Sequence, residues 1–185
     1  MEDTHRASVV WIALAVLASM LGALLLLGRS WWGAAHGPGL WTGNIHGAFN
    51  SQLLADPFTV AHVNHGLALF LLVTIVARQI PADVGILRTV VLEAVWEVAE
   101  NTAFAIEHFR QEGLAQGYYG DSILNSLGDV ASAATGFGLA VLVARTRSPL
   151  WVLGGCVALA VLLIAWIGEG VIQLALSLVR IALAL

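Results

Sequence analysis

Lysine is absent from this chain of 185 residues, cysteine occurs once, as Cys156, and charged residues make up only 11%. Each shortage excludes something. Eight arginines scattered along the chain, with a net charge of −4, leave no basic patch with interleaved aromatics, so nucleic acid is not a partner. A lone cysteine inside an apolar run offers neither an intrachain disulfide nor a thiolate metal cluster, and is read as a packing residue. So little charge, set against 59% hydrophobic residues, does not describe a soluble fold.

What the chain has instead is recurring apolar runs of roughly 18 or more residues, each able to cross a hydrocarbon core of about 30 Å as a helix. Hydropathy read with breakers predicts an all-α, polytopic membrane helical bundle. It is a single integral membrane domain over 1–185, with about five transmembrane helices near 8–27, 59–77, 88–109, 122–143 and 150–168. The connectors agree: 28–57 is glycine-rich and holds Pro38, Gln79 to Asp83 holds Pro81, Gln111 to Gly120 is polar, and Arg145 to Pro149 is a short charged turn. Beyond Gly168-Glu169-Gly170, the apolar segment 171–185 is predicted as an interfacial or half-crossing helix. The run from Ala7 to Leu27 exceeds a signal-peptide core and its leading MEDTHR is not clearly basic, so it is read as an uncleaved first span.

Several side chains inside these spans do not belong in hydrocarbon. His62 and His65, three residues apart on span two, point about 60° from one another and can address one site. Glu93, Glu97 and Glu100 on span three fall within about a 60° sector at 100° per residue, and Glu107 continues the stripe. Asp121, Asn125 and Asp129 share a face of span four, with Ser132 beneath. Alternate spans run in opposite directions, so the three stripes meet in the outer half of the bilayer. A carboxylate at the centre of a membrane helix costs about 2.5–3.5 kcal/mol, against only about 0.3–0.6 returned by each Leu, Ile, Val or Phe. Span three must therefore be sheltered, and is expected at the centre of the bundle.

Interhelical hydrogen bonding alone accounts for a single Asn125, Ser126 or Ser132. Five acids with two histidines exceed what helix adhesion needs, and like charges in low dielectric require something positive or a proton. The candidates are protonation, the two histidines, or a bound cation. Imidazole with carboxylate suits zinc, iron, manganese or copper, so the cofactor that would fit is a divalent metal ion on His62, His65, Glu97, Glu100 and Asp129. Asn101 and Glu93 complete the candidate polar site. Neither HExxH nor the ferritin ExxH pair occurs, no catalytic residue is assigned, and enzymatic activity is left open. Trp31, Trp32, Trp41 and Trp151 fit an aromatic belt, whereas Trp96 sits among the glutamates, where it could shield them from water or simply pack.

Three ordered stretches, NSQLLADPFTVAHVNHG (50–66), EAVWEVAENTAFAIEHFR (93–110) and YYGDSILNSLGDV (118–130), resemble the UPF0314 family of bacterial inner-membrane proteins, also called DUF2585. The resemblance spans roughly residues 41–140 and implies a multi-pass protein of the bacterial inner membrane, without supplying an activity. By motif position it carries over Asn50, Ser51, Gln52, Asp56, His62, His65, Glu93, Trp96, Glu97, Glu100, Asn101, Tyr119, Gly120, Asp121, Ser122, Asn125, Ser126 and Asp129. The first long loop lacks the cysteine-containing segment associated with the family and has His36 and His46 instead. A looser similarity in the order of histidines, glutamates with tryptophan, and Asp-x-x-x-Asn-x-x-x-Asp links the chain to VanZ-like membrane proteins.

Two readings follow. In the first, the outer-half site binds a cation or a polar headgroup, with His62 and His65 as ligands or base and Glu97, Glu100, Asp121 and Asp129 as ligands or proton acceptors. In the second, the chain is an accessory subunit of a larger membrane complex whose acids only key helix packing, helped by the small residues Ala131, Ala133, Ala134, Gly136 and Gly138. A transporter ranks below both, because five spans show no evident inverted repeat. The lipid bilayer is the partner common to all.

Arginine excess sets orientation. Arg6, Arg78, Arg88, Arg145 and Arg147 lie on one side, with Arg29, Arg110 and Arg180 on the other, which predicts a cytoplasmic amino terminus and a periplasmic 33–56 loop. In a Cys156→Ser background, Ala35→Cys should react with a membrane-impermeant thiol reagent applied to intact cells. Labelling only after the cytoplasm is opened would reverse the topology.

Overall fold

A computed structural model describes residues 2–33, 37–77, 80–111 and 118–167. The chain is all-helical: α1 (Glu2–Leu26), α2 (Pro57–Ala77), α3 (Ala82–Glu100), α4 (Ala103–Gln111), α5 (Ile123–Thr146) and α6 (Pro149–Ile167). One isolated bridge, Trp41 with Ala55, is the extent of β-pairing among the described residues. Four helices, α1, α2, α5 and α6, are long and apolar enough to cross a membrane. The segment 171–185, expected as an interfacial helix, lies outside the described residues.

The expected third span is divided. Its helix starts earlier, at Ala82 after Pro81, and stops at Glu100, so that 88–109 becomes α3 and α4. Asn101 and Thr102 make the break by competing for backbone groups. The Asn101 amide donates back to the Glu97 carbonyl at 2.9 Å and across to Asp121 at 2.7 Å. The Thr102 hydroxyl donates to the Ala99 carbonyl at 2.7 Å, and at the other end accepts from Ala105 N–H at 3.3 Å, which starts α4. Glu107 therefore sits exposed on α4 and does not extend the α3 stripe.

As expected of a helix that must be sheltered, α3 packs on α1, α2 and α5 besides the α4 that follows it, while α5 packs on α2, α3 and α6. The inward face of α3 is Gly85, Thr89, Val90, Glu93, Ala94 and Glu97. Leu92 and Val95 on its back are exposed, as residues facing acyl chains would be. One polar face is enough to require shelter on one side only. Met20 and Leu24 of α1, Val90 and Ala94 of α3, and Ile123 and Val130 of α5 close this side with an apolar core.

The contact between α2 and α5 depends on glycine. A Cβ on Gly66 would collide with the Ala133 carbonyl oxygen, and one on Gly136 with the Val63 carbonyl oxygen, so the two backbones approach with no side chain between them. Gly128 does the same for the loop, since a Cβ there would strike the Leu54 carbonyl oxygen. The loop thereby drops into the mouth of the bundle. Backbone has nowhere to retreat, so Gly136→Val and Gly66→Val should destabilise by at least the about 1–3 kcal/mol typical of overpacking. Gly138 faces open space, and Gly138→Ala should be neutral or raise stability slightly. Thermal unfolding of the purified protein in detergent distinguishes these outcomes.

Candidate functional site

The site begins with the way α2 starts. Asp56 precedes Pro57, and its carboxylate accepts from Phe58 N–H at 2.8 Å and Thr59 N–H at 3.2 Å. The Thr59 hydroxyl returns the favour by accepting from Asp56 N–H at 3.0 Å, a reciprocal cap in which threonine takes the place usually held by glutamate. Proline at the first helical position needs no donor. The second Asp56 oxygen accepts from Ser51 N–H at 2.6 Å. Ser51 itself has φ of 60°, a left-handed conformation that a non-glycine residue holds only when its surroundings demand it.

One turn into α2, His62 and His65 face α3. The Glu93 carboxylate joins both rings, with Oε2 at 2.9 Å from His62 Nδ1 and Oε1 at 3.2 Å from His65 Nδ1. The rings meet edge to face, with centroids 4.9 Å apart. On the far side of His62, Nε2 lies 3.9 Å from Asp129 Oδ2 of α5, and Glu97 Oε1 lies 3.8 Å from Nδ1. Glu100 comes within the same neighbourhood: one ligand atom each from His62, Glu97 and Glu100 lie within 4.8 Å of one another. A second such group is His62, His65 and Glu93. Three helices thus converge on His62.

Glu97 is 1% exposed and Asp129 3%. Among the described residues, neither Glu97 oxygen and not Asp129 Oδ1 has a hydrogen-bond partner. The ion-pair partners of Glu93, Glu97 and Asp129 are the two histidines. Above the cluster lies a cavity of about 80 Å³, lined by His62, His65, Trp96, Glu100, Tyr118 and Asp129 among others. At 10–15 Å³ for each, this is room for about half a dozen water-sized groups. Trp96 stands on its wall, half-buried.

Asp121 and Asn125 belong to a different arrangement. Asp121 accepts from Asn101 Nδ2 at 2.7 Å and from the Tyr118 hydroxyl at 2.8 Å, while its own N–H donates to Asn101 Oδ1 at 2.7 Å. Burial holds the Asp121 carboxyl above its ordinary range, although the Tyr118 and Asn101 donors pull the other way. The Tyr118 phenol is pushed well above its usual range by burial and by the Asp121 charge beside it. Asn125 N–H donates to the Ser122 hydroxyl at 3.1 Å, and its amide makes only a long 3.5 Å contact with Asp56.

These residues form a clasp. Gln52 donates to the Gly120 carbonyl at 2.9 Å, Ser122 N–H to the Ser51 carbonyl at 2.8 Å, and the Ser122 hydroxyl to the Gln52 carbonyl at 3.0 Å. The first N–H groups of α5, from Ile123 and Leu124, reach the Ser30 and Trp31 carbonyls. Arg29 and Arg110 donate to the carbonyls of Tyr119 and Tyr118. Gly120, at φ 96°, has the Arg29 guanidinium where a side chain would go.

Of the nine residues singled out from sequence, His62, His65, Glu93, Glu97, Glu100 and Asp129 gather around the histidines. Asn101, Asp121 and Asn125 gather in the clasp beside them. Thr59 and Tyr118 were not foreseen as site residues. Thr59 caps α2 by bonding with Asp56, and Tyr118 bonds to Asp121. The Asp-Pro-Phe-Thr capping pattern was the available signal for Thr59, and nothing local marked Tyr118. Asn64, fully buried on α2 and with neither amide atom hydrogen-bonded among the described residues, was also unmarked.

A family described as a protein of unknown function (DUF2585) matches residues 24–181. Curated relatives include a UPF0314 protein of Sinorhizobium fredii, 34% identical over 141 residues, covering 75% of this chain and 72% of the relative. A UPF0314 protein of Rhizobium meliloti is 36% identical over 138 residues, or 74% and 70% of the two chains. A third, from Paracoccus denitrificans, is 32% identical over 148 residues, or 80% and 74%. No solved structure matches significantly. With the family match running over most of its length and three such relatives beside it, the chain belongs to the UPF0314 (DUF2585) family.

Proposed function

We propose that this chain is a multi-pass protein of the bacterial inner membrane, with its amino terminus in the cytoplasm, that binds a cation at a His/Glu/Asp site in the outer half of the bilayer. The observation that carries this is that both Glu97 oxygens and Asp129 Oδ1 are buried beside His62 without hydrogen-bond partners among the described residues. A buried ionised carboxylate is tolerated only when paired or coordinating. One histidine beside two such acids does not balance them, and a cation does.

The cation could be a metal ion or the ammonium of a lipid headgroup, since both offer positive charge to the same oxygens. The small volume of the cavity and the imidazole among the groups favour a metal. The reading as an accessory subunit whose acids serve packing loses support from α5, because Ala133 and Gly136 are already committed to α2 within the chain. Packing would also leave no reason for Glu97 to remain unbonded.

Metal analysis of protein purified in detergent should find about one transition-metal ion per chain, or saturable uptake on adding one. His62→Ala and Glu97→Gln should each lower affinity at least about 10-fold while circular dichroism reports unchanged helix content. Protein that neither retains nor takes up metal would sink the metal arm. If ethanolamine-headed lipid co-purifies and is lost in Glu97→Gln, the ammonium is the cation.

A further inference from the structure

We infer that a groove between α2, α5 and the start of α3 holds one anionic phospholipid, with its phosphate on Arg145 and an acyl chain inside. The groove is at the far end of the bundle from the histidines: Arg145 lies about 24 Å along α5 from Asp129, at 1.5 Å per residue. Nothing in it depends on the cation site.

The groove, of about 600 Å³, is walled by Val73 of α2, Ile80 and Ala82 at the entry to α3, and Val141 and Ala144 of α5. Thr74 lines it too, but its hydroxyl donates to the Phe70 carbonyl at 2.7 Å and is engaged within its own helix. Phe70 and Phe137 close the floor, edge to face with centroids 5.6 Å apart. Phe137 is held there by Gly85, where a Cβ would strike its ring. From Phe137 to Arg145, α5 advances about 12 Å, most of the about 15 Å that one leaflet of a 30 Å hydrocarbon core provides. Apolar walls leave water without partners, so a space like this stays dry. In helices long and apolar enough to cross a membrane, an acyl chain fills it.

The rim selects the headgroup. Arg145, in the last turn of α5, is the charged residue on the lining, and Arg147 is exposed two residues beyond it. Among the described residues no carboxylate pairs with Arg145. Asp83, next to Ala82, is paired with His5 at 3.2 Å. A guanidinium presents a planar fork of donors that matches phosphate oxygens, and basic pockets between membrane helices bind anionic headgroups in this way. A choline or ethanolamine head would bring its own cation to two arginines, with no acid among the lining residues to receive it. Charge complementarity therefore favours a headgroup whose only charge is negative.

The test is titration of the delipidated full chain in detergent with dioleoyl-phosphatidylglycerol, and with the choline and ethanolamine lipids of the same chains, counting bound lipid by native mass spectrometry. Wild type should retain one phosphatidylglycerol at least about 5-fold more tightly than either of the others. Arg145→Gln should bring phosphatidylglycerol down to the level of the choline lipid. Ala144→Phe, which fills the groove and leaves Arg145 in place, should weaken all three, with helix content unchanged in both variants. Equal affinity of wild type for the three lipids overturns the inference, as does a preference for phosphatidylglycerol that survives Arg145→Gln. Lipid-free dimers that Ala144→Phe separates would mean that a second copy of the chain occupies the groove, and would overturn it as well.

Discussion

An ionised carboxylate has no tolerable place against acyl chains, and α3 carries Glu93 and Glu97 on one face with Glu100 a turn further on. Everything around that face follows from the need to cover it. The back of α3 is free to meet lipid because Leu92 and Val95 are there. The front must meet protein, and it meets the histidines of α2 and Asp129 of α5. No single partner could do this. Two histidines can both address one glutamate, but the second glutamate, one helical turn along, then lies against the same ring at a distance too long for hydrogen bonding.

The cover is made tight by residues with no chemistry of their own. Gly66 and Gly136 let α2 and α5 touch backbone to backbone, which fixes how far His62 stands from Asp129. Gly128 lets residues 50–56 descend over α5, and this brings Asp56 and Ser51 to the mouth of the cluster. The site is thus set by close approach of three backbones more than by any one side-chain bond. A membrane bundle cannot rely on hydrophobic exclusion between its helices, so packing of small residues and polar contacts must supply the specificity.

Much of this was readable in the chain. The apolar runs locate α1, α2, α5 and α6 because length and hydropathy are properties of consecutive residues. The stripes of α2, α3 and α5 are likewise visible in offsets of three and four. The break at Asn101 was not, since two polar residues inside a long window barely change its mean, and Asn101 bonds to Asp121, twenty residues away, as well as back to its own helix. The clasp was out of reach for the same reason. Gln52 bonds to Gly120 and Ser122 to Gln52 across about seventy residues of chain, and such contacts have no periodicity to betray them. Asp121 looked like a member of the Asp129 stripe by spacing alone, but it lies before the first turn of α5, where backbone direction and not helical phase decides its neighbours.

That difference between Asp121 and Asp129 separates two uses of a buried acid within one small bundle. Asp56 and Asp121 are surrounded by donors: backbone N–H groups at the start of α2 for one, and an amide and a phenol for the other. Removing either would leave those donors unmet, at about 1–3 kcal/mol each, which is reason enough for their presence. Glu97 and Asp129 are as deeply buried, yet their environment supplies too few donors to occupy their oxygens. Stability alone would favour replacing such groups with apolar ones of similar volume. A fold that surrounds them with other acids beside a histidine and leaves a small cavity above is built at a cost in stability, and the cation proposed for this site would offset that cost.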